Sequence, residues 1–397
     1  MTSARPTLLI APGYHKRADS GHPWLYSNEI VMDAAAKALP AGTLVTLKTQ
    51  GSKTLGVASF NPHTLISARL LDRDGSCAID RHFFARRLER ALSLRQRLYP
   101  DPFYRLIHAE ADGLPGIIAD RFGEVLVCQI NTAGMAALEE PFLAACEAVL
   151  APKAIVLRND SSARTQEGLG LETRIVRGTL DGPIELRENG GRFLADSIEG
   201  QKTGWFYDQR DNRRFVAGLA GQAARVLDLY CFTGGFAVEA ARAGAREVVG
   251  LDRSESALGL AARAAALNGV AAACHFERGE AFTELERRRQ SGERFDIVIA
   301  DPPAFVKSKK DLGPGLRGYR KLCRLASSLV AKNGILFIAS CSHNVTPEAF
   351  AEAVRRGLED GGREGRIILS SGAAPDHPAH PWLPESAYLK AETLVLD

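Results

Sequence analysis

The sequence predicts an α/β protein whose C-terminal half is a mostly parallel sheet with its last strand antiparallel, preceded by a small β-barrel and a small α+β unit. Three observations carry this. From about residue 181, short apolar runs alternate with helix-length amphipathic segments, the signature of βαβ units and a parallel sheet. The first 75 residues hold short β-type runs separated by Pro, Gly and Asn. The last two runs, "GRIILSS" and "AYLKAETLVL", follow each other without a helix, so the final strand runs antiparallel. The expected division is 1–75, 76–180 and 181–397, in keeping with a 397-residue chain.

In the first segment, "TLLIA", "LVTLKT", "LGVASF" and "LISARLL" are the barrel strands, and Trp24 is expected in the core. Residues 80–98 carry apolar side chains at 83, 84, 88, 91, 92, 94 and 98, a helical stripe with arginines on the other face. Two strands within 104–131, a helix over 135–150 and the strands "AIVLRND" and "TRIVRG" complete the middle unit. In the last segment, strands are expected at 225–230, 247–252, 274–278, 295–301 and 334–342. Helices are expected from Gly235, over 254–268, over 281–290, from about Tyr319 and from Pro347.

No run of about 18 apolar residues is present, and the first residues have too short a hydrophobic stretch for a signal peptide, which predicts a cytoplasmic protein without membrane contact. The seven cysteines are scattered, with no C-x-x-C pair and no histidine at zinc spacing, and read as reduced thiols. His377 and His380 lie in the Pro-rich "APDHPAHPWLP" and read as loop residues, so no metal is expected. Residues 1–100 carry 14 Lys and Arg against 7 Asp and Glu, a charge of +7 in a chain whose total is +3. Such asymmetry suits nucleic-acid contact and equally a solvated basic surface.

In open parallel sheets ligands bind beyond the carboxyl ends of the strands, and four strand ends here carry distinctive residues. The first, "LDLYCFTGGFAVEAA", places Asp228 at the strand edge and Gly234-Gly235 at the opening of a helix. An acid before a loose glycine pair suits a ligand without pyrophosphate better than a dinucleotide. Asp252 ends the second strand, placed to accept hydrogen bonds from a ribose. These residues, with "GEAF" after the third strand, resemble the class I S-adenosylmethionine (SAM) methyltransferases. The resemblance implies a Rossmann-like sheet, SAM as cofactor, and adenine contact through Glu280, where that family more often has Asp.

The fourth strand stops on Asp301-Pro302-Pro303, and the fifth ends in "SCSH". In this fold the two strands are neighbours, about 4.8 Å apart, so Asp301 and Cys341 face one pocket. Amino-group methyltransferases of adenine or guanine place Tyr or Phe directly after D-P-P; here Ala304 intervenes before Phe305. A thiol on the adjacent strand suits a different reaction. Carbon 5 of a pyrimidine is a poor nucleophile until a thiolate adds to carbon 6. Ser340, Ser342, His343 and the helix from Pro347 are the groups expected to favour that thiolate.

At the N-terminus, "HKRADSGHPWLYSNEI" looks like the start of a PUA domain, implying RNA contact through Lys16 and Arg17. With "RNDSSARTQEG", "GQKTGWFYDQRDNRR", "LYCFTGGFAVEA", "DPPAFVKSKK", "RGYRKL" and "SCSH", nearly the whole chain resembles the ribosomal RNA large-subunit methyltransferase I family, which makes 5-methylcytosine in 23S ribosomal RNA. The resemblance implies Cys341 as nucleophile and Asp301 as a second catalytic residue. It implies a cofactor set of Asp228, Tyr230, Gly234, Gly235, Asp252, Glu280, Asp301, Pro302, Gln209 and Arg210. Lys307, Lys309 and Lys310 are expected at RNA phosphates, with Phe305 or Tyr319 stacking on the flipped base. The sequence lacks the second cysteine that many RNA 5-methylcytosine enzymes carry beside D-P-P. A guanine or adenine N-methyltransferase and a non-catalytic RNA-binding protein stay open, as does a homodimer.

Overall fold

The computed structural model describes residues 5–200, 202–222 and 224–397. The chain forms two compact units. One comprises the chain up to Gly182 with Asp196–Gly204 and Asp376–Pro384; the other comprises Pro183–Ala195, Trp205–Pro375 and Glu385–Asp397.

In the first unit, Thr7–Leu9, Trp24–Tyr26, Thr43–Lys48, Thr54–Phe60 and Ile66–Asp72 form one five-stranded sheet. An isolated bridge between Ile10 and Ile30 joins its two edges into a barrel, which removes unpaired strand edges. Leu8, Ile10, Leu25, Val45, Leu47 and Phe60 fill it. Trp24 departs from expectation: it is only half-buried, and its indole N–H donates to Glu110 Oε1 at 2.8 Å, because a buried indole needs an acceptor that an apolar barrel lacks. A second five-stranded sheet follows, from Phe103–His108 to Glu172–Arg177, covered by the helices Arg81–Leu98 and Glu139–Leu150. Asp80 caps the first of these, accepting from the N–H groups of His82 and Phe83. The helix expected over 135–150 is instead two, Ala133–Ala136 and Glu139–Leu150.

The arginine face of Arg81–Leu98 is not wholly solvated. Arg95 is fully buried and forks onto both carboxylate oxygens of Asp112 at 2.6 and 2.8 Å, while also donating to the carbonyls of Arg105 and Asp376. Arg105 forks onto Asp120, which also accepts from Thr203. These bonds fasten the returning segments Asp196–Gly204 and Asp376–Pro384 into this unit.

The second unit opens with a hairpin, Ile184–Glu188 with Gly191–Ala195, that periodicity did not flag. Its turn is Asn189-Gly190, both at positive φ (50° and 78°), the residue pair such turns favour. Helix α1 (Arg210–Leu219) leads into a seven-stranded sheet of β1 (Arg225–Leu229), β2 (Glu247–Asp252), β3 (Cys274–Arg278), β4 (Phe295–Ala300), β5 (Val330–Ser340), β6 (Gly365–Ser371) and β7 (Lys390–Leu396). The spatial order is β3-β2-β1-β4-β5-β7-β6, and only the β7 pairings are antiparallel, as the sequence predicted.

The linking helices are α2 (Gly235–Arg242), α3 (Glu255–Leu267), α4 (Ala281–Gln290), α5 (Leu312–Leu329) and α6 (Pro347–Asp360). Ser254, Glu280 and Thr346 cap α3, α4 and α6, with Pro347 in the first turn of α6. Helix α5 begins well before Tyr319. "GPG" reads as a turn, yet Pro314 falls in the first turn, where no N–H is needed. Gly315 and Gly318 then let α5 approach Val306 and Phe305: a Cβ at either would come within 2.3 and 3.0 Å of those side chains. Among the described residues no helix is long and apolar enough to cross a membrane.

Candidate active site

The site lies along the carboxyl edge of the seven-stranded sheet. After β1 the chain makes a tight loop in which Tyr230, Phe232 and Gly234 all take positive φ (62°, 49° and 80°). Two non-glycine residues in that region within one loop store strain, a cost found where backbone must meet a ligand. Gly235 faces the guanidinium of Arg213 and the ring of Trp205, and a Cβ there would come within 2.9 Å of Arg213. Glycine is therefore needed for close packing at this helix start.

Asp228 is buried, and one carboxylate oxygen accepts from Ala237 N–H at 2.9 Å. Burial pushes its carboxyl well above the usual range, and the nearby Asp301 and Asp252 push the same way; Arg213 and the N–H bond oppose them. Asp252 accepts from Phe232 N–H at 3.0 Å and Ser254 N–H at 2.9 Å, which ties the β1 loop to the end of β2. Glu280 is engaged as the cap of α4, accepting from the N–H and hydroxyl of Thr283 at 2.9 and 3.1 Å. Its burial works against ionisation, but those bonds and the Phe282 N–H outweigh it and hold the carboxyl below the usual range.

Gln209 and Arg210 are buried at the start of α1. Gln209 accepts from Asn212 at 2.6 Å. Arg210 reaches Glu188 at 3.4 Å; the same carboxylate accepts from Arg213 at 2.7 Å and from the Trp205 indole at 3.0 Å. Glu188 is thus the hub beneath the β1–α2 turn, and sequence reading passed it over because it lies in the hairpin.

The ends of β4 and β5 are neighbours, with Ala300 paired to Ile338. Asp301 is partly buried and Pro302 buried; Cys341 Sγ contacts the Pro302 carbonyl at 3.9 Å. One hydroxyl stitches the two loops together: buried Ser342 Oγ accepts from Val306 N–H at 3.2 Å and lies 2.9 Å from the Tyr319 hydroxyl. Ser342 is therefore spent on loop geometry, and Ser340 Oγ accepts from Ser342 N–H. His343 is exposed, stacked on Tyr388 at 4.9 Å, whose hydroxyl donates to Asp208 at 2.5 Å.

Tyr319 requires a correction. It is fully buried, with its ring between Phe305 (4.7 Å) and Phe350 (5.4 Å), so a base cannot reach its face. Phe305 is half-buried beside Phe282. Lys307, Lys309 and Lys310 are exposed on the loop that Ser308 and Asp311 close by a reciprocal cap.

In the other unit, Lys16 is exposed, while Arg17 pairs with Glu29 at 2.6 Å and lies 5.0 Å from the Tyr26 ring. All seven cysteines are free; those of the second unit other than Cys341, namely Cys231, Cys274 and Cys323, are buried. Among the described residues no group of three or more His, Cys, Asp or Glu is arranged to hold a metal ion.

Sequence reading also passed over Lys390. It is buried on β7, opposite Ser340 on β5, and its ammonium donates to the carbonyls of Ser342 and Val345 at 2.7 and 2.8 Å. A lone cation inside the apolar run "AYLKAETLVL" was the available signal.

The chain matches two family models, S-adenosylmethionine-dependent methyltransferase over residues 158–361 and PUA-like domain over 8–73. It is 38% identical to "Ribosomal RNA large subunit methyltransferase I" of Erwinia tasmaniensis over 96% of this chain and 97% of that protein. To the protein of the same name from Aeromonas hydrophila it is 36% identical over 97% and 98%. Among solved structures, a SAM-dependent methyltransferase from Streptococcus mutans aligns with a TM-score of 0.82 at 20% identity, covering 98% of this chain and all of that one. A methyltransferase in complex with S-adenosylhomocysteine aligns at 0.84 and 19% over the same shares. The glycine start of α2 and the acids at three strand ends suit a small cationic nucleoside, so the residues fit the cofactor. The chain therefore belongs to the ribosomal RNA large subunit methyltransferase I family, SAM-dependent enzymes with an N-terminal PUA-like domain.

Proposed function

We propose that this protein methylates carbon 5 of a cytosine in 23S ribosomal RNA in the cytoplasm, with Cys341 as nucleophile. The observation that carries the reading is the placement of Cys341. It is the partly exposed cysteine of its unit, and it stands at the end of β5 beside Asp301 and Pro302 at the end of β4.

SAM supplies an electrophilic methyl group. Asp228, Tyr230, Gly234, Gly235, Asp252, Glu280 and Pro302 are proposed to line its site, with Gln209 and Arg210 at the border. Asp252 would accept from the ribose hydroxyls, and the acids at the sheet edge favour a cationic ligand. Cys341, as thiolate, would add to carbon 6 of the flipped base; the electron pair would move to carbon 5, which would take the methyl group as its bond to the sulfonium sulfur breaks and a neutral thioether is left. Removal of the carbon-5 proton by a base then lets the thiolate leave. Asp301 would hold the cytosine edge and Phe305 would stack on the ring. Lys307, Lys309 and Lys310, with Lys16 and Arg17 of the barrel, are proposed to meet RNA phosphates, an interaction that weakens steeply with salt. The proposed domain limits are 1–75 for the RNA-binding barrel, 76–180 for the central unit and 181–397 for the methyltransferase.

The test is an RNA carrying 5-fluorocytosine, from which no carbon-5 proton can be removed. A SAM-dependent covalent adduct is expected with the wild-type protein and not with Cys341→Ala, together with a loss of methyl transfer of about 1,000-fold, roughly 4 kcal/mol of barrier. Full methyl transfer by Cys341→Ala would leave nitrogen chemistry as the reading.

A further inference from the structure

Lys390 takes no part in the chemistry above, yet its place is unusual. Burying an ammonium ion costs several kcal/mol unless partners replace its water. The carbonyls of Ser342 and Val345 bracket the turn that follows Cys341, and Lys390 spans them from the neighbouring strand. They take two of its three donors without neutralising its charge. Burial pushes the Lys390 ammonium down to about 8, and Cys341 is the group that acts against that shift.

The surroundings supply the other charges. Asp301 stands at the end of β4 and His343 lies within the turn. Tyr319 from α5 has its hydroxyl pushed up by burial, with Cys341 adding to the effect. Glu392 follows on β7, pushed up by burial, and Asp208 is held by Tyr388. Beside these groups Lys390 is a buried cation.

We propose that Lys390 is a positioning residue for Cys341: it locks the Ser342–Val345 turn and sets a positive charge beside the thiol at neutral pH, so that the thiolate forms there and its proton passes to water. The inference rests on Cys341 as nucleophile, but its own readout, the pH dependence of thiol alkylation, needs no RNA.

The rate of Cys341 alkylation by iodoacetamide is measured against pH in the full chain, resolved from the other thiols by peptide mass spectrometry. In the wild-type protein the midpoint is expected below the ordinary thiol value of about 8.5. Lys390→Gln keeps hydrogen-bond donors and removes the charge. It should raise the midpoint by about one unit, a roughly tenfold loss of thiolate at pH 7, and Lys390→Arg should restore most of the loss. A Lys390→Gln protein that binds SAM normally and labels with the wild-type midpoint would overturn the proposal. So would a wild-type midpoint at or above 8.5, which needs no variant to fold. A shifted midpoint with no 5-fluorocytosine adduct would instead keep the Lys390 role and sink the carbon-5 chemistry.

Discussion

The core of the first unit and the carboxyl edge of the sheet in the second hold their acids in different ways. In the first, Asp112 and Asp120 each receive a two-pronged arginine, and Glu167 takes Arg69 at 2.8 Å. At the sheet edge of the second, Asp228, Asp252 and Glu280 accept chiefly from backbone N–H groups. A guanidinium cancels charge and fixes geometry; an N–H fixes geometry alone. The first arrangement fastens chain segments that are distant in sequence. The second leaves free lone pairs at the strand ends, which a cofactor with ribose hydroxyls can use.

If this contrast is right, breaking a pair in the first unit should cost stability, whereas altering an acid in the second should cost affinity. The largest effect is expected at Arg95. Arg95→Met leaves Asp112 buried without its fork and frees the Asp376 carbonyl, so urea denaturation should show the first unit destabilised by about 3–5 kcal/mol. A loss under about 1 kcal/mol would mean that the network does not hold these segments.

Arg95 also shows where the sequence stops being informative. The seven-stranded sheet was legible because each strand is a short apolar run and each helix has its own period; α4 fell on its expected limits and β2 likewise. Asp228, Asp252, Asp301 and Cys341 could be placed because the fold puts strand ends on one edge. What could not be read depends on partners far away in the chain. Arg95 looked solvated because charge on a helix usually is, and its acceptor at Asp376 is 281 residues distant. The return of Asp196–Gly204 and Asp376–Pro384 to the first unit leaves no periodic trace for the same reason. Tyr319 and Phe305 were equivalent as aromatic residues, and only packing against Phe350 and Ser342 separates them.

A smaller effect tests the contrast inside the second unit. Glu188 carries Arg213 and Arg210, while its neighbour Glu239 accepts from the Asn189 amide at 2.8 Å. Burial, with Glu188 adding, pushes the Glu239 carboxyl up to about 8. A carboxyl raised in the folded state adds stability that is fully present below its unfolded value near 4.3 and is lost as pH rises through 8. Stability should therefore fall across that window. Glu239→Gln should remove one proton from the slope; Asp228, also raised, keeps the rest. Thermal melts at pH 5 and pH 8 decide this, and an unchanged slope in the variant would place the charge on Glu239 at neutral pH.

The smallest effect is expected at Asp252, and it is the one that separates affinity from stability. Asp252→Asn keeps an oxygen for Ser254 N–H or Phe232 N–H but not both, and it replaces an acceptor pair facing the proposed ribose with an amide. Losing one charged hydrogen bond to a ribose hydroxyl is worth about 1.5 kcal/mol, or roughly tenfold in SAM affinity by calorimetry. Because backbone N–H groups rather than a guanidinium surround this acid, no unpaired cation is left behind, and unfolding should change by less than about 1 kcal/mol. Were the melting point to fall as far as in Arg95→Met while SAM affinity held, Asp252 would be a structural acid like those of the first unit, and the distinction between the two ways of holding buried charge would fail at its most exposed point.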